Sequence, residues 1–341
     1  MNLQTPSLSP IARQRACRRL AVSAVMSTAL VAGLPQACAQ DTAFPQRAVR
    51  MIIPFAAGGA IDIMGRPIAR RLQEFLGQPV IIDNRAGGGG SLAAELVARS
   101  APDGHTLLMG STSPLAINPA ALAKVGYDTM RDFSPISLVA TQPLLIVSHP
   151  SLPAKNIKDV IALAKRNPGK LSYGSAGPGT SNHLTGALLA HAAGIDLLHV
   201  PYKGGGPALN ALLGGEIELQ VSQPNTMLAF VKSGRVRAIA TTSTKRSAIY
   251  PDVGTLVEAG YKELDITGWY CVVGPANIPR PTVDRLNADL RRTMAAADVR
   301  SILLAEGTDP VASSPEELGA LMKRELVRWA AAVKFAGVRP E

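Results

Sequence analysis

Cysteine is scarce, with 3 among 341 residues. Two of them, Cys17 and Cys38, fall in the first 40 residues, so Cys271 stands alone in the remainder and no disulfide is expected there. A chain of this length can fill a core without one. Histidine is sparse too: His105, His149, His183, His191 and His199 are dispersed, with no His-Glu-x-x-His pair and no cysteines at ligand spacing. No metal, cofactor or catalytic set is therefore expected. Charged residues make up only 18%, with no cluster of five or more Lys/Arg, which argues against a nucleic-acid partner. At 47% hydrophobic the chain is too apolar for disorder, and its 31 Gly and 26 Pro follow no collagen-like period. A single segment approaches the length of a membrane span, which excludes a multi-span protein.

That segment lies at the start. Arg13, Arg15, Arg18 and Arg19 precede an uncharged run over residues 20–34, which Pro35-Gln36 break ahead of Ala37-Cys38-Ala39. A basic start, a short apolar core and small residues predict a secretory signal peptide over residues 1–39, cleaved after Ala39. The Arg18-Arg19 pair leaves the twin-arginine route open beside general secretion, and Pro35 sits where a lipoprotein signal wants leucine. Cleavage would leave 302 residues and lower the net charge from +10 to +6, because four arginines and no acids leave. The milder positive balance suits small anionic ligands.

Beyond the leader, short β-branched runs alternate with amphipathic stretches. Strands are expected over residues 49–55, 80–83, 106–110, 171–175, 197–201 and 236–243, and helices over 62–76, 91–101, 157–167, 183–194 and 207–214. Such alternation predicts an α/β fold of parallel sheets covered by helices. Residues 135–149 and 264–275 are long and extended without a helical period, as expected of segments that pass from one sheet to another. The expected architecture is two discontinuous lobes: residues 40–140 with 270–341, and residues 141–269, with the helical tail packed back on the first.

Two loops carry most of the chemistry. Pro54-Phe55-Ala56-Ala57-Gly58-Gly59-Ala60-Ile61-Asp62 joins a strand to a helix, the place where open α/β sheets bind ligands. Adjacent glycines let backbone N–H groups face an anion, and the helix behind supplies a positive end. Asp62 suits a helix cap or, alternatively, orients a ligand. Tyr173-Gly174-Ser175-Ala176-Gly177-Pro178-Gly179-Thr180-Ser181-Asn182-His183 repeats the design. Thr180 replaces the lysine of a nucleotide-binding loop, and Tyr173 replaces the glycine of a nucleophile elbow. A nest with hydroxyl donors, fit for a carboxylate, remains. Thr180 and Ser181 are also ordinary cap residues, and His183 suits a purely structural place at a helix start. Ser111-Thr112-Ser113, at the carboxyl end of a strand, is a further pocket candidate. Residues 85–90 and 204–206 read as flexible glycine turns or, secondarily, anion turns.

Several ordered motifs resemble one family: Phe44-Pro45, Ile53-Pro54-Phe55-Ala56-Ala57-Gly58-Gly59 with Asp62, Leu76-Gly77-Gln78-Pro79-Val80 with Asn84-Arg85, Ala101-Pro102-Asp103-Gly104, Tyr173-Gly174-Ser175 with His183-Leu184, and Val200-Pro201-Tyr202-Lys203-Gly204. Together they resemble the Bug-type extracytoplasmic solute receptors of tripartite tricarboxylate transporters. The resemblance implies a two-lobed type II periplasmic-binding-protein fold and a periplasmic, monomeric receptor. It would carry a small carboxylate, aromatic acids included, to the membrane permease subunits of such a transporter. It implies ligand contacts from the two loops, and with the hydroxyls after the third strand and the Ser222-Gln223 region the expected contacts are Phe55, Ala57, Gly58, Gly59, Asp62, Ser111, Thr112, Ser175, Gly177, Thr180, Ser181, His183 and Gln223. Donors would be the N–H groups of Gly58, Gly59 and Gly177 and the hydroxyls of Ser111, Thr112, Thr180 and Ser181, with Phe55 as an apolar wall. The chain departs from the family at Ala86, at Ser222-Gln223, where many members carry Asp-Asn, and at Cys271, where Gly is common. A receptor that signals to a membrane partner, or an exported hydrolase with a triad assembled only in space, are the competing functions.

Overall fold

The structure, a computed structural model, describes residues 44–338; the expected signal peptide, its cleavage site, Cys17 and Cys38 lie outside them. The chain runs β1 (Val49–Ile53), α1 (Ala60–Leu76), β2 (Val80–Asn84), α2 (Ser91–Ala98) and β3 (Thr106–Ser111), then a π-helical turn over Ser113–Ile117, α3 (Asn118–Ala121) and β4 (Phe133–Pro143). The second stretch is β5 (Leu145–Ser148), α4 (Ile157–Arg166), β6 (Leu171–Ser175), α5 (Ser181–Ala193), β7 (Leu197–Pro201), α6 (Gly205–Leu213), β8 (Leu219–Ser222), α7 (Pro224–Lys232) and β9 (Arg237–Thr241). The third is β10 (Thr267–Pro275), α8 (Arg280–Ala295), α9 (Ala297–Ala305), β11 (Asp309–Pro310) and α10 (Pro315–Phe335).

Two sheets form, in the orders β11-β4-β10-β3-β1-β2 and β7-β6-β8-β5-β9, and each is the spine of one lobe. The expectation of parallel sheets needs correction. β1 runs parallel to β2 and β3, and β6 parallel to β7 and β8, but β10 is antiparallel to β3 and β4, and β5 antiparallel to β8 and β9. Right-handed strand–helix–strand units enforce parallel neighbours. β5 and β10 each enter from the other sheet without a crossover helix, so nothing imposes that direction on them. β4 belongs to the first sheet and β5 to the second, so the chain changes sheet at Leu144. It returns between β9 and β10.

At that crossing Thr242 ties the two connections together. Its hydroxyl accepts the Leu144 N–H at 2.9 Å and donates to the Ile266 carbonyl, while its own N–H donates to the Leu144 carbonyl at 3.0 Å. Burial explains the strands: β3 and β5 are covered on both faces, so they read as largely apolar runs rather than alternating patterns, and β6 is buried throughout although it carries Ser172, Gly174 and Ser175. The tail helix α10 starts with a reciprocal Ser314–Glu317 capping box. It packs on β4 and α3 and also touches α5 of the second lobe. Its buried Glu325 accepts the indole N–H groups of Trp269 and Trp329, each at 3.1 Å, which satisfies a carboxylate that burial would otherwise penalise. Cys271 is fully buried in β10, opposite Gly110, and burial pushes its thiol pKa up.

Candidate functional site

Both glycine loops sit at the carboxyl ends of their strands, as the sheet topology requires. In the first, Asp62 is buried in the opening turn of α1. It accepts from the Gly58 N–H (2.9 Å), from Arg66 Nε and Nη2 (2.9 and 2.8 Å) and from Asn84 Nδ2 (3.1 Å). Burial pushes its carboxyl pKa up, but the hydrogen bonds from Arg66, Gly58 and Asn84 together outweigh that and hold it below the ordinary value. Asn84 also donates to the Phe55 carbonyl at 3.0 Å, which fixes the loop's approach. Asp62 therefore shapes the loop.

The second loop is built without charge. Thr180 caps α5, accepting the His183 N–H at 3.3 Å and donating to the Gly177 carbonyl at 2.7 Å. Ser175 Oγ accepts the Gly177 N–H at 3.1 Å and lies 2.7 Å from His199 Nε2. The His199 ring stacks on His183 at 4.0 Å and on Tyr173 at 5.0 Å between centroids. Burial, with the neighbouring His183, lowers the His199 pKa to about 3, so the imidazole is neutral at physiological pH.

Between the loops lies a cavity of about 40 Å³. Of the residues expected to touch a ligand, Phe55, Gly59, Ser111, Thr112, Ser181 and Gln223 line it. Ala57, Gly58, Asp62, Ser175, Gly177, Thr180 and His183 do not. The physical reason is common to several of them. The Gly58, Gly59 and Gly177 N–H groups and the Thr180 hydroxyl, expected to serve as donors, are already committed inside their own loops, Gly59 to the Ala56 carbonyl at 3.2 Å. Thr112 reaches the cavity, but its hydroxyl accepts the Trp269 N–H at 3.0 Å. Ser222 is turned away, 3.0 Å from the Thr226 hydroxyl, leaving its neighbour Gln223 at the wall.

Ser113, from the hydroxyl triplet read as a pocket candidate, and Asn182, from the second glycine loop, also line the cavity, as do Thr226 and Tyr270, which sequence reasoning missed. Asn182 and Gln223 face each other amide to amide, and Asn182 Nδ2 donates to the Val221 carbonyl at 2.8 Å. Burial raises the Tyr270 pKa against the opposing contact with Gln223, so the phenol stays protonated. Nothing local distinguishes Tyr270 from any core residue of a strand.

No charged side chain lines this cavity. The starts of four helices do: Gly59 and Ala60 of α1, Ser181 of α5, Gly205 of α6, and the α7 cap Gln223. Helix starts leave N–H groups without intrahelical partners, and α1 and α6 have no side-chain cap to take them, whereas in α5 Ser181 and His183 donate to Ser113 and Thr180, and in α7 Pro224 has no N–H and Thr226 donates to Asn225 Oδ1. Each end favours an anion by about 0.3–1 kcal/mol. Ser111 Oγ is buried at the same wall without a protein hydrogen-bond partner, so it is free to bond a ligand or a water there. The lobes meet around this space, with Ser181 N–H donating to Ser113 Oγ at 3.1 Å and Asn225 Nδ2 to the Ala60 carbonyl at 3.2 Å.

The family pattern described as the tripartite tricarboxylate transporter family receptor, TctC, matches residues 64–338. The chain belongs to this family. Among curated relatives of the receptor, a UPF0065 protein encoded in the tcbD-tcbE intergenic region of Pseudomonas sp. strain P51 is 38% identical over 325 residues, 95% of this chain and 94% of the relative. Protein BugT of Bordetella pertussis is 35% identical over 309 residues, 90% and 94% of the two chains. Among solved structures, R. palustris Rpa4515 with adipate superposes with a TM-score of 0.85 at 32% identity, covering 87% of this chain and 100% of that one. MatC of Rhodopseudomonas palustris with bound malate gives 0.82 at 32% identity, with coverages of 85% and 100%.

Proposed function

We propose that this TctC-family receptor works in the periplasm, captures a small carboxylate between its lobes and delivers it to the permease subunits of a tripartite tricarboxylate transporter. The observation that carries the reading is the inner cavity, where four helix starts and the unpartnered Ser111 hydroxyl converge and no acidic side chain competes. A carboxylate is the compact anion that such a ring of neutral donors accepts without a counter-charge. The acids held by Rpa4515 and MatC belong to the same chemical class. The lobes part a few residues inside the expected boundaries at 140 and 270, because β4 runs to Pro143 and β10 starts at Thr267 in the first sheet, and they hinge where Thr242 binds both connections. A ligand that touches both lobes favours the closed form by its differential contacts.

Among the described residues no helix is long and apolar enough to cross a membrane. The protein acts as a monomer and releases its ligand unchanged. The Ser175–His199 contact gives a hydrolase no support, because Ser175 is fully buried and lies outside the cavity lining. The test is thermal unfolding against a panel of mono-, di- and tricarboxylates, with the compounds assayed afterwards for turnover. Ligand at 100 times its Kd adds about 2.7 kcal/mol, a shift of several degrees at this size. No shift with any carboxylate would defeat the reading, and consumption of the responding compound would replace it with an enzyme.

A further inference from the structure

The apolar clusters of the described residues divide unequally between the lobes. One, with Ile61 and Leu72 of α1, stays within the first lobe, and another, with Leu209 and Met227, within the second. A third runs through both, joining Leu318, Met322 and Trp329 of α10 to Leu184 and Leu188 of α5. Separating α10 from α5 would return apolar area to water, so the lobes are bound along this pair of helices. Between α1 and α7 no cluster is shared, and the lobes meet there through the hydrogen bond from Asn225 Nδ2 to the Ala60 carbonyl at 3.2 Å.

The cavity wall also grips α10. Gly268 and Tyr270 of β10 line the inner cavity, and Trp269 between them faces the other side of the strand. Its backbone N–H donates to Oγ1 of the cavity residue Thr112 at 3.0 Å, and its indole N–H to Glu325 Oε2, the same oxygen that takes the Trp329 indole. Arg328 Nη2 donates to the Asp265 carbonyl at 2.6 Å, in the segment that leads from Thr242 to β10. Toward its end α10 meets the second lobe, where the Phe335 ring stands edge-on to His191 of α5 at 4.3 Å. Leu188, Leu264, Ile266, Trp329, Ala332 and Phe335 surround an apolar groove of about 270 Å³ there, so the contact is not close-packed. The helix is thus fastened at Glu325 and looser toward Phe335.

We propose that α10 is a strap across the lobe boundary and that Glu325 is the positioning residue that fastens it to the cavity wall. The strap limits how far α5, and with it the loop over residues 175–183, swings from the first lobe. The lobes then part between α1 and α7, where one hydrogen bond holds them. A strap that keeps the open form narrow raises the closed fraction, and apparent affinity scales with that fraction.

Spin-label distance measurement on the purified protein tests this without any ligand, so the strap and the carboxylate reading can fail separately. Labels go on Lys124→Cys and Lys203→Cys, exposed positions that line one cavity from opposite lobes; Cys271 is fully buried and stays unlabelled. Glu325→Ala and Phe335→Ala should each shift the inter-label distances to longer values. Phe335 is half exposed, so its truncation leaves a folded protein even where loss of Glu325 does not. Glu325→Gln, which keeps an oxygen for both indoles, should restore the original distribution. Leu72→Ala, a truncation in the cluster confined to the first lobe, should leave the distances as they are. Unchanged distances in Phe335→Ala, failure of Glu325→Gln to restore them, or an equal shift in Leu72→Ala overturns the strap.

Discussion

The loop over residues 54–62 leaves β1 and enters α1; the loop over residues 175–183 leaves β6 and enters α5. Each turns a glycine N–H inward, Gly58 to the Asp62 carboxylate and Gly177 to the Ser175 hydroxyl, and each presents the first turn of its helix to the cavity. Their supports differ. The first is clamped by a buried carboxylate with an arginine and an asparagine, the second by hydroxyls and the neutral His199 imidazole stacked on His183. The glycines form the scaffold, and the helix ends behind them do the presenting. A buried ionic clamp fixes geometry strongly but is costly to break, whereas neutral clamps lose less when one member goes.

The sharpest way to break this comparison is Asp62→Ala. It strips partners from the Gly58 N–H and Asn84 amide, and urea unfolding should report a loss of about 2–4 kcal/mol. Arg66 is half exposed and regains water, which limits the cost. Thr180→Val removes the matching cap of the second loop and should cost about 1 kcal/mol. Equal losses would mean that the charge in the first loop adds nothing.

Ser111→Ala should separate support from recognition. Removing a buried hydroxyl without a partner leaves the unliganded melting temperature the same or slightly higher, while ligand affinity falls by about five- to tenfold, the worth of one hydrogen bond. A drop in unliganded stability would instead make Ser111 part of the scaffold.

Acid should divide the loops by pH window. The folded His199 titrates near 3 against 6.5 when unfolded, so the unfolded chain binds more protons in between, and stability declines as pH falls from 6.5 toward 3. Asp62, whose folded pKa is depressed below 3.8, contributes fully until pH falls to that range and is lost beneath it. Replacing His199 with Gln should flatten the stability profile between pH 6.5 and about 3 and leave the more acidic limb in place. An unchanged slope would assign the decline to other groups.

Much of the fold was legible because burial writes itself into periodicity. The apolar runs of β1 and β3, the amphipathic α1 and α4, and the glycine that ends α1 at Gly77 are local features. The directions of β5 and β10 were not legible, since pairing across sheets leaves no local trace. The same split runs through the site. The loop positions followed from strand–glycine–helix order, and Phe55, Gly59, Ser111, Thr112, Ser181 and Gln223 were found on that basis or through family likeness. The error lay in taking loop glycines and cap hydroxyls as free donors, because whether an N–H already has a partner depends on side chains elsewhere, such as Asp62 and Ser175.

The amino-acid sequence by itself determined the α/β character, the two glycine loops at strand ends and the absence of metal-ligating spacing, all consequences of short-range pattern. Only the tertiary structure decided which donors remain available and that Tyr270 joins Asn182 and Gln223 at the inner wall. The members of each group lie far apart along the chain, and only sheet pairing and lobe contact make them neighbours.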